Sequence, residues 1–289
     1  MSITLPAPAK LNLFLHIVGR RADGYHLLQT VFQLLDYGDE LHFALRDDGC
    51  IRLQGDMADT APEKNLIVQA AQRLQKTSGS TQGADIRLSK RLPLGGGLGG
   101  GSSDAATTLL ALNVLWGLGL SIDTLAQLGL ALGADVPVFV RGCSSWAEGV
   151  GEILQPIELP QRWFVVLTPA CHADTAALYA MPELTRNTPI ITIAAFLQGG
   201  GQISASNSDH NDFQPVAEAR YPAIKNALTW LGQHGTSRMT GSGASVFAAF
   251  ETCEQAHQVL AAKPPDFAGF VAQGLNVSPV HRRLREHKL

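Results

Sequence analysis

Charge, paired cysteines and long apolar runs are all scarce in this chain, and each scarcity closes off a class of function. Charged residues make up 16% of the 289 and the net charge is −3, which excludes a generic polyanion binder. The one basic cluster, HRRLREHKL (281–289), contains Glu286 and reads as a solvated helix end rather than a nucleic-acid arm. Cys50, Cys143, Cys171 and Cys253 lie far apart, with no CxxC and no histidine at metal-ligand spacing. Neither a zinc site nor a disulfide framework is indicated, and a reducing cytoplasm fits. MSITLPAPAKLNLFLHI has no basic region ahead of its apolar residues and carries Lys10 and Asn12 among them, so it belongs to the fold rather than to a signal peptide. AATTLLALNVLWGLGLSI (105–122) is eighteen uncharged residues, but two threonines, an asparagine, two glycines and a serine dilute it. A buried helix is expected there, not a membrane span.

What remains is a globular chain with 45% apolar residues, long enough for two lobes. KLNLFLHIV (10–18) alternates as a half-buried strand, placing Lys10 and Asn12 on one face. ADG (22–24) supplies a hairpin turn, and YHLLQTVFQLL (25–35), GDELHFAL (38–45) and CIRLQG (50–55) continue strand-like. Helical spacing predicts helices over 63–79, following Ser102 or Ser103 and stopping near the glycines at 117 and 119, and over 121–133. The stretch 146–169 reads as a hairpin leading to a new strand over 163–168. Helical segments follow within 173–200 and 206–235, then a strand after TGSGAS (240–245) and a helix over 254–264. The prolines at 156 and 160 mark a boundary, giving an α+β chain of two domains, 1–158 and 159–289.

The dominant motif is LPLGGGLGGGSSDAA (92–106). A Gly/Ser linker has structureless flanks, whereas here a strand precedes the glycines and a helix follows. That arrangement aims backbone N–H groups and a helix N-terminus at an anion, with a tight structural turn as the plainer alternative. No Gly-Lys-Ser/Thr follows, so this is not the usual P-loop. The charge facing a triphosphate must then come from Lys10, Lys90 and Mg2+, and Asp104 is expected to point away from the ligand.

PAPAKLNLFL (6–15), LPLGGGLGGGSSDAA (92–106) and RMTGSGASVF (238–247) resemble the three motifs of the kinase superfamily that includes galactokinase, homoserine kinase, mevalonate kinase and phosphomevalonate kinase. More narrowly, DGYHLLQTVFQ, LGADVPVFVRG, AEGVGE, HNDF and SPVHR resemble the 4-diphosphocytidyl-2-C-methyl-D-erythritol kinase family. The resemblance implies a ribosomal-S5-like N-terminal ATP-binding domain and a ferredoxin-like C-terminal domain, with the active site in the cleft between them. It further implies ATP with Mg2+, phosphorylation of the substrate's 2-hydroxyl in the non-mevalonate isoprenoid route, and a monomer or homodimer with no nucleic-acid or membrane partner. By this resemblance Asp135 is the general base, and Lys10 orients the hydroxyl and stabilises developing charge. Pro93, Leu94, Gly95, Gly96, Gly97, Leu98, Gly99, Gly100, Gly101, Ser102 and Ser103 hold the nucleotide phosphates, with Asn65 and Lys90 near the adenine and its sugar. Asn12 contacts the methylerythritol, Tyr25 and His26 hold the cytosine, Thr175 and Tyr179 surround the cytidine, and Gly241 shapes the loop beside the phosphates. No direct protein ligand of the metal is assigned.

On local propensity alone, Asp135 is a capping or turn aspartate, Lys10 a solvated strand end, Tyr25 a core aromatic and His26 a strand-surface residue. Tyr25 and His26 distinguish the narrow family from sister kinases acting on mevalonate, homoserine or sugars. Lys10 and Asp135 together argue against a catalytically silent nucleotide binder.

Overall fold

A computed structural model describes residues 1–57, 60–200 and 209–286. Its strands are β1 (Ser2–Arg20), β2 (His26–Arg46), β3 (Ile51–Gly55), β4 (Gly83–Ser89), β5 (Ser145–Glu148), β6 (Ile153–Pro156), β7 (Trp163–Pro169), β8 (Ser237–Met239), β9 (Val246–Phe250) and β10 (Phe267–Leu275). Its helices are α1 (Leu66–Ser78), α2 (Gly100–Leu115), α3 (Ile122–Leu130), α4 (Val136–Arg141), α5 (Thr175–Tyr179), α6 (Ile193–Gln198), α7 (Phe213–Arg220), α8 (Pro222–Leu231), α9 (Cys253–Ala261) and α10 (Pro279–Glu286).

In the first lobe β1 pairs antiparallel with β2, and β2 with β4 and β5, while β3 runs parallel to β4. Helix α1 opens on Asn65, whose Oδ1 accepts the Ile67 N–H at 3.0 Å, and closes on Gly79 in the left-handed region. Such caps satisfy backbone groups that the helix itself leaves open. Helix α2 is buried on nearly every side among α1, β1 and α4, which explains the low polarity of 105–115. Among the described residues no helix is long and apolar enough to cross a membrane.

The second lobe runs β7, α7 and α8, β8, β9, α9, β10, with strand order β10-β7-β9-β8, all antiparallel. That βαββαβ sequence with its fourth strand beside its first is the ferredoxin-like arrangement. The two sheets join where Gly274 and Leu275 of β10 pair with Leu35 and Leu34 of β2.

Several expectations change. Strand β1 is not half-buried: both of its faces are covered from Ala7 to Ile17, because the first lobe packs on one side and the second lobe on the other. Residues 26–46 form one strand rather than two. Helix α2 begins three or four residues earlier than predicted, with Gly99 as its N-cap. Strand β10 was not predicted, since FAGFVAQGL mixes small and polar residues into its alternation. The tail is not simply solvated: Val280 and Leu284 pack into the first lobe's core, so the chain crosses back after the expected division at residue 158. Positions 206–208 and 287–289 of the predicted helical segments lie outside the described residues.

Candidate active site

The glycine run leaves β4, turns through positive φ and enters α2. Its rear face is fixed by hydrogen bonds: Lys10 N–H donates to Leu98 O at 3.0 Å, Ser245 N–H to Gly96 O at 3.2 Å, and Thr240 Oγ1 to Gly97 O at 3.3 Å. The front face opens on a cavity of about 340 Å³ lined by Asn65, Lys90, Leu94, the glycines and Ser102. No side chain caps the N-terminus of α2, so its first-turn donors are left for an anion. Ser103 Oγ is buried there without a partner.

Lys90 lines this cavity, yet its ammonium is already committed. It donates to Asp39 Oδ2 at 2.5 Å and to Asp104 Oδ2 at 2.9 Å. Burial works against its charge, but Asp104 and Asp39 more than compensate and its pKa rises. Asp104 is pushed up to about 7, by burial first and by the neighbouring Asp39 charge, against the pull of Lys90. Asp39 Oδ1 also accepts the N–H groups of Arg91 and Leu92 at 2.6 and 2.7 Å. The trio therefore pins the strand-to-loop junction. Lys90 is thus paired with two carboxylates, whereas the sequence suggested it as free charge facing a triphosphate.

Lys10 is no solvated strand end but is 2% exposed. Its Nζ donates to Asn12 Oδ1 at 2.5 Å and lies 3.2 Å from Asp135 Oδ2. Asp135 occupies the N-cap position of α4, as local propensity suggests, but its side chain makes no capping hydrogen bond. The carboxylate is left for Lys10 and for a second cavity, also about 340 Å³, whose lining includes Lys10, Asn12, Asp135, Thr175, Tyr179 and Gly241. Ser102 lines both cavities, so the two meet beside the Lys10–Asp135 pair. Asn12 is tied on both sides: its N–H donates to Thr240 Oγ1 and its Nδ2 to Thr30 Oγ1, each at 2.9 Å. Thr175 and Ser242 share a hydrogen bond of 2.6 Å across the cavity mouth.

Tyr179 lines this cavity and its ring stacks on that of His26, which lies behind it and outside the lining, with centroids 4.6 Å apart. Burial, Arg186 and Arg20 hold the His26 pKa below its ordinary value, leaving a neutral imidazole that can donate and accept. Burial, with the Asp135 charge, pushes Tyr179 up to about 12. Tyr25 is not a core aromatic: it is 65% exposed on the hairpin and outside the cavity lining. Sequence reasoning missed Asp39, Thr30, Thr240 and Asn211. Thr240, Thr30 and Asn211 carried a signal as members of TGSGAS, DGYHLLQTVFQ and HNDF, but Asp39 did not.

Among the described residues no group of three His, Cys, Asp or Glu side chains could hold a metal ion.

Comparison with known proteins places the site in context. Residues 65–143 match the GHMP kinases N terminal domain and residues 193–262 the GHMP kinases C terminal domain. The 4-diphosphocytidyl-2-C-methyl-D-erythritol kinase of Ectopseudomonas mendocina (strain ymp) is 56% identical over 98% of this chain and 94% of its own length. That of Thiobacillus denitrificans is 56% identical over 97% and 98%. A crystal structure of 4-(cytidine 5'-diphospho)-2C-methyl-D-erythritol kinase superposes with a TM-score of 0.81 at 32% identity, covering 94% of this chain and 99% of that one. The mevalonate kinase of Methanococcus jannaschii, at 15% identity and a TM-score of 0.69, shares the fold.

Proposed function

Because the chain belongs to the 4-diphosphocytidyl-2-C-methyl-D-erythritol kinase family of GHMP kinases, we propose that it moves the γ-phosphoryl of ATP to the 2-hydroxyl of that compound, in the cytoplasm, with Asp135 as general base. The observation that carries this reading is the Lys10–Asp135 pair, 3.2 Å apart where the two cavities meet. The glycine-loop cavity takes the nucleotide. Backbone N–H groups of 95–101 and the hydroxyls of Ser102 and Ser103 face its phosphates, Pro93 and Leu94 form the rim, and Asn65 and Lys90 lie near adenine and ribose. The fit is physical: the cradle is bare backbone, and Ser103 Oγ is an orphaned buried oxygen. Mg2+, where bound, adds positive charge against the transferring group. The hydroxyls of Ser102 and Ser103 are the protein groups that would stand nearest to it, and it would supply charge against the phosphate oxygens.

The acceptor occupies the Lys10 cavity, with its diol against Asn12, Lys10 and Asp135 and its pyrimidine towards Tyr25, His26 and Tyr179. Thr175 and Gly241 border its middle. Asp135 takes the hydroxyl proton as the oxygen attacks. Lys10, nearly dry and held by Asn12, keeps the hydroxyl in line and offsets the growing charge, a buried electrostatic role that water would weaken. The division of labour follows the domains, 1–158 for nucleotide and 159–289 for the acceptor side, apart from the returning helix α10. ADP release is measured with each acceptor in turn. Turnover is expected with 4-diphosphocytidyl-2-C-methyl-D-erythritol and not with mevalonate, homoserine or galactose; comparable turnover with one of those three overturns the assignment.

A further inference from the structure

Tyr179 is the last residue of α5, a helix of only five residues. A single turn closes too few hydrogen bonds to offset its own ordering, and its final carbonyls have no partners inside the helix. The ring it carries is nevertheless fixed. It stacks on His26 and meets Phe213 edge-on, with centroids 4.8 Å apart.

Asp174 caps the start of the helix, its Oδ1 accepting the Ala176 and Ala177 N–H groups, and the end that carries Tyr179 is held from seven residues further along. The half-buried Arg186 gathers three carbonyls, its Nη2 donating to Tyr179 O and Met181 O and its Nη1 to Leu184 O, each at 2.8 Å. A guanidinium at a helix C-terminus satisfies orphan carbonyls and opposes the helix dipole. The segment behind it is anchored as well: Thr188 N–H donates to Ile17 O at 3.1 Å, and Thr188 Oγ1 to Asp212 Oδ2 at 2.8 Å. Asp212 Oδ2 accepts the Ile17 N–H at 2.6 Å. Thr188 thus ties the segment to β1, the strand that carries Lys10, and two residues earlier along the chain Arg186 holds the backbone of Tyr179.

We infer that Arg186 is a positioning residue for acceptor specificity: it holds the Tyr179 ring, which lines the cavity and is backed by His26, as a rigid wall where the pyrimidine end of the acceptor binds. It does so without lining the cavity itself. The inference rests on the reading of the Lys10 cavity as the acceptor site. Lysine at this position keeps the charge but loses the planar fork that reaches three carbonyls at once.

The test measures, for wild type, Arg186→Lys and Tyr179→Ala, the KM for acceptor, the KM for ATP, kcat, and the inhibition constant of CMP. Arg186→Lys is expected to raise the acceptor KM and the CMP inhibition constant together by about 10- to 30-fold, the scale of a lost charge-assisted hydrogen bond. The ATP KM and kcat should stay within about twofold, because no bond of Arg186 reaches the glycine loop or the Lys10–Asp135 pair. Tyr179→Ala should raise the same two constants at least as far. Unmoved constants in Tyr179→Ala refute the reading of the pyrimidine wall, and the inference with it. A response in Tyr179→Ala with none in Arg186→Lys refutes the role of Arg186 alone. A parallel rise in the ATP KM shows a general structural effect and also overturns it. If Arg186→Lys does not fold, Arg186→Gln, which keeps two N–H donors, takes its place with the same expected split.

Discussion

Replacing Gly97 with alanine should separate the two halves of the site without unfolding the protein. Gly97 has φ +73°, and a Cβ placed on it falls 2.2 Å from Thr240 O and 3.0 Å from Gly243 O. Both obstacles are backbone, so no side chain can swing aside. Reaching an ordinary contact of 3.4 Å moves the loops apart by about 1.2 Å. Thr240 cannot follow freely, since its hydroxyl accepts the Asn12 N–H and donates to Gly97 O. The gap therefore opens between the nucleotide loop and the strand that carries Lys10. Misplacement of about 1 Å costs on the order of 100-fold in rate, with left-handed strain adding about 1–2 kcal/mol to the fold's burden. Gly79→Ala is the matched control: its φ is +69° and nothing lies within 4 Å, so it carries the strain without the clash. Steady-state ADP release and thermal melting are measured for both. The expected result is a drop of a few degrees in both melts and a loss of kcat near 100-fold in Gly97→Ala alone. A Gly97→Ala enzyme within threefold of wild-type kcat would refute the idea that these interlocked loops set the distance between phosphate and acceptor.

Asp39→Asn leaves Lys90 with Asp104 as its one carboxylate; a loss of about 1–3 kcal/mol in denaturant unfolding is expected, with the ATP KM raised and the acceptor KM unchanged. A rise confined to the acceptor KM would contradict the role given to the trio. His16 is 1% exposed, its ring packed against Phe14 and His210, and burial first, then the His210 charge, lowers its pKa to about 4. The unfolded chain takes up a proton near pH 6.5 that the folded chain resists. Stability from the neutral ring is therefore full above that pH and is lost as pH falls towards 4, by up to about 3 kcal/mol. The difference between wild type and His16→Leu in urea melts isolates this contribution from that of Asp104; a difference flat between pH 7 and pH 4 contradicts it.

How much of this was legible in the sequence depends on range. The glycine run could be read because its meaning is local: strand, turn and helix sit side by side in LPLGGGLGGGSSDAA. The Asn65 and Gly79 caps are local too. Lys10 was legible as a motif residue but not as a buried one, since alternation shows two faces and cannot show that a second lobe covers the outer face. Lys90 illustrates a different failure. Its charge can be read from the chain, but the carboxylates that neutralise it come from positions 39 and 104, brought together only by the pairing of β2 with β4 and by α2. Asn211, whose Nδ2 donates to Met239 O and Gly241 O, is legible as a member of HNDF, but its role is not until the fold sets it behind the TGSGAS loop. Asp135 is the sharpest case, because propensity and resemblance gave it different roles. The structure puts it at the capping position and leaves its carboxylate free of capping.

The most direct test of the catalytic account is Asp135→Asn, assayed by single turnover alongside binding of each substrate. Asparagine keeps the shape and a hydrogen-bond acceptor near Lys10 but cannot take the hydroxyl proton. The account predicts a phosphoryl-transfer rate lower by about two to four orders of magnitude, with dissociation constants for ATP and acceptor within about twofold. A rate near that of wild type, or a loss that appears in binding and not in turnover, would contradict it.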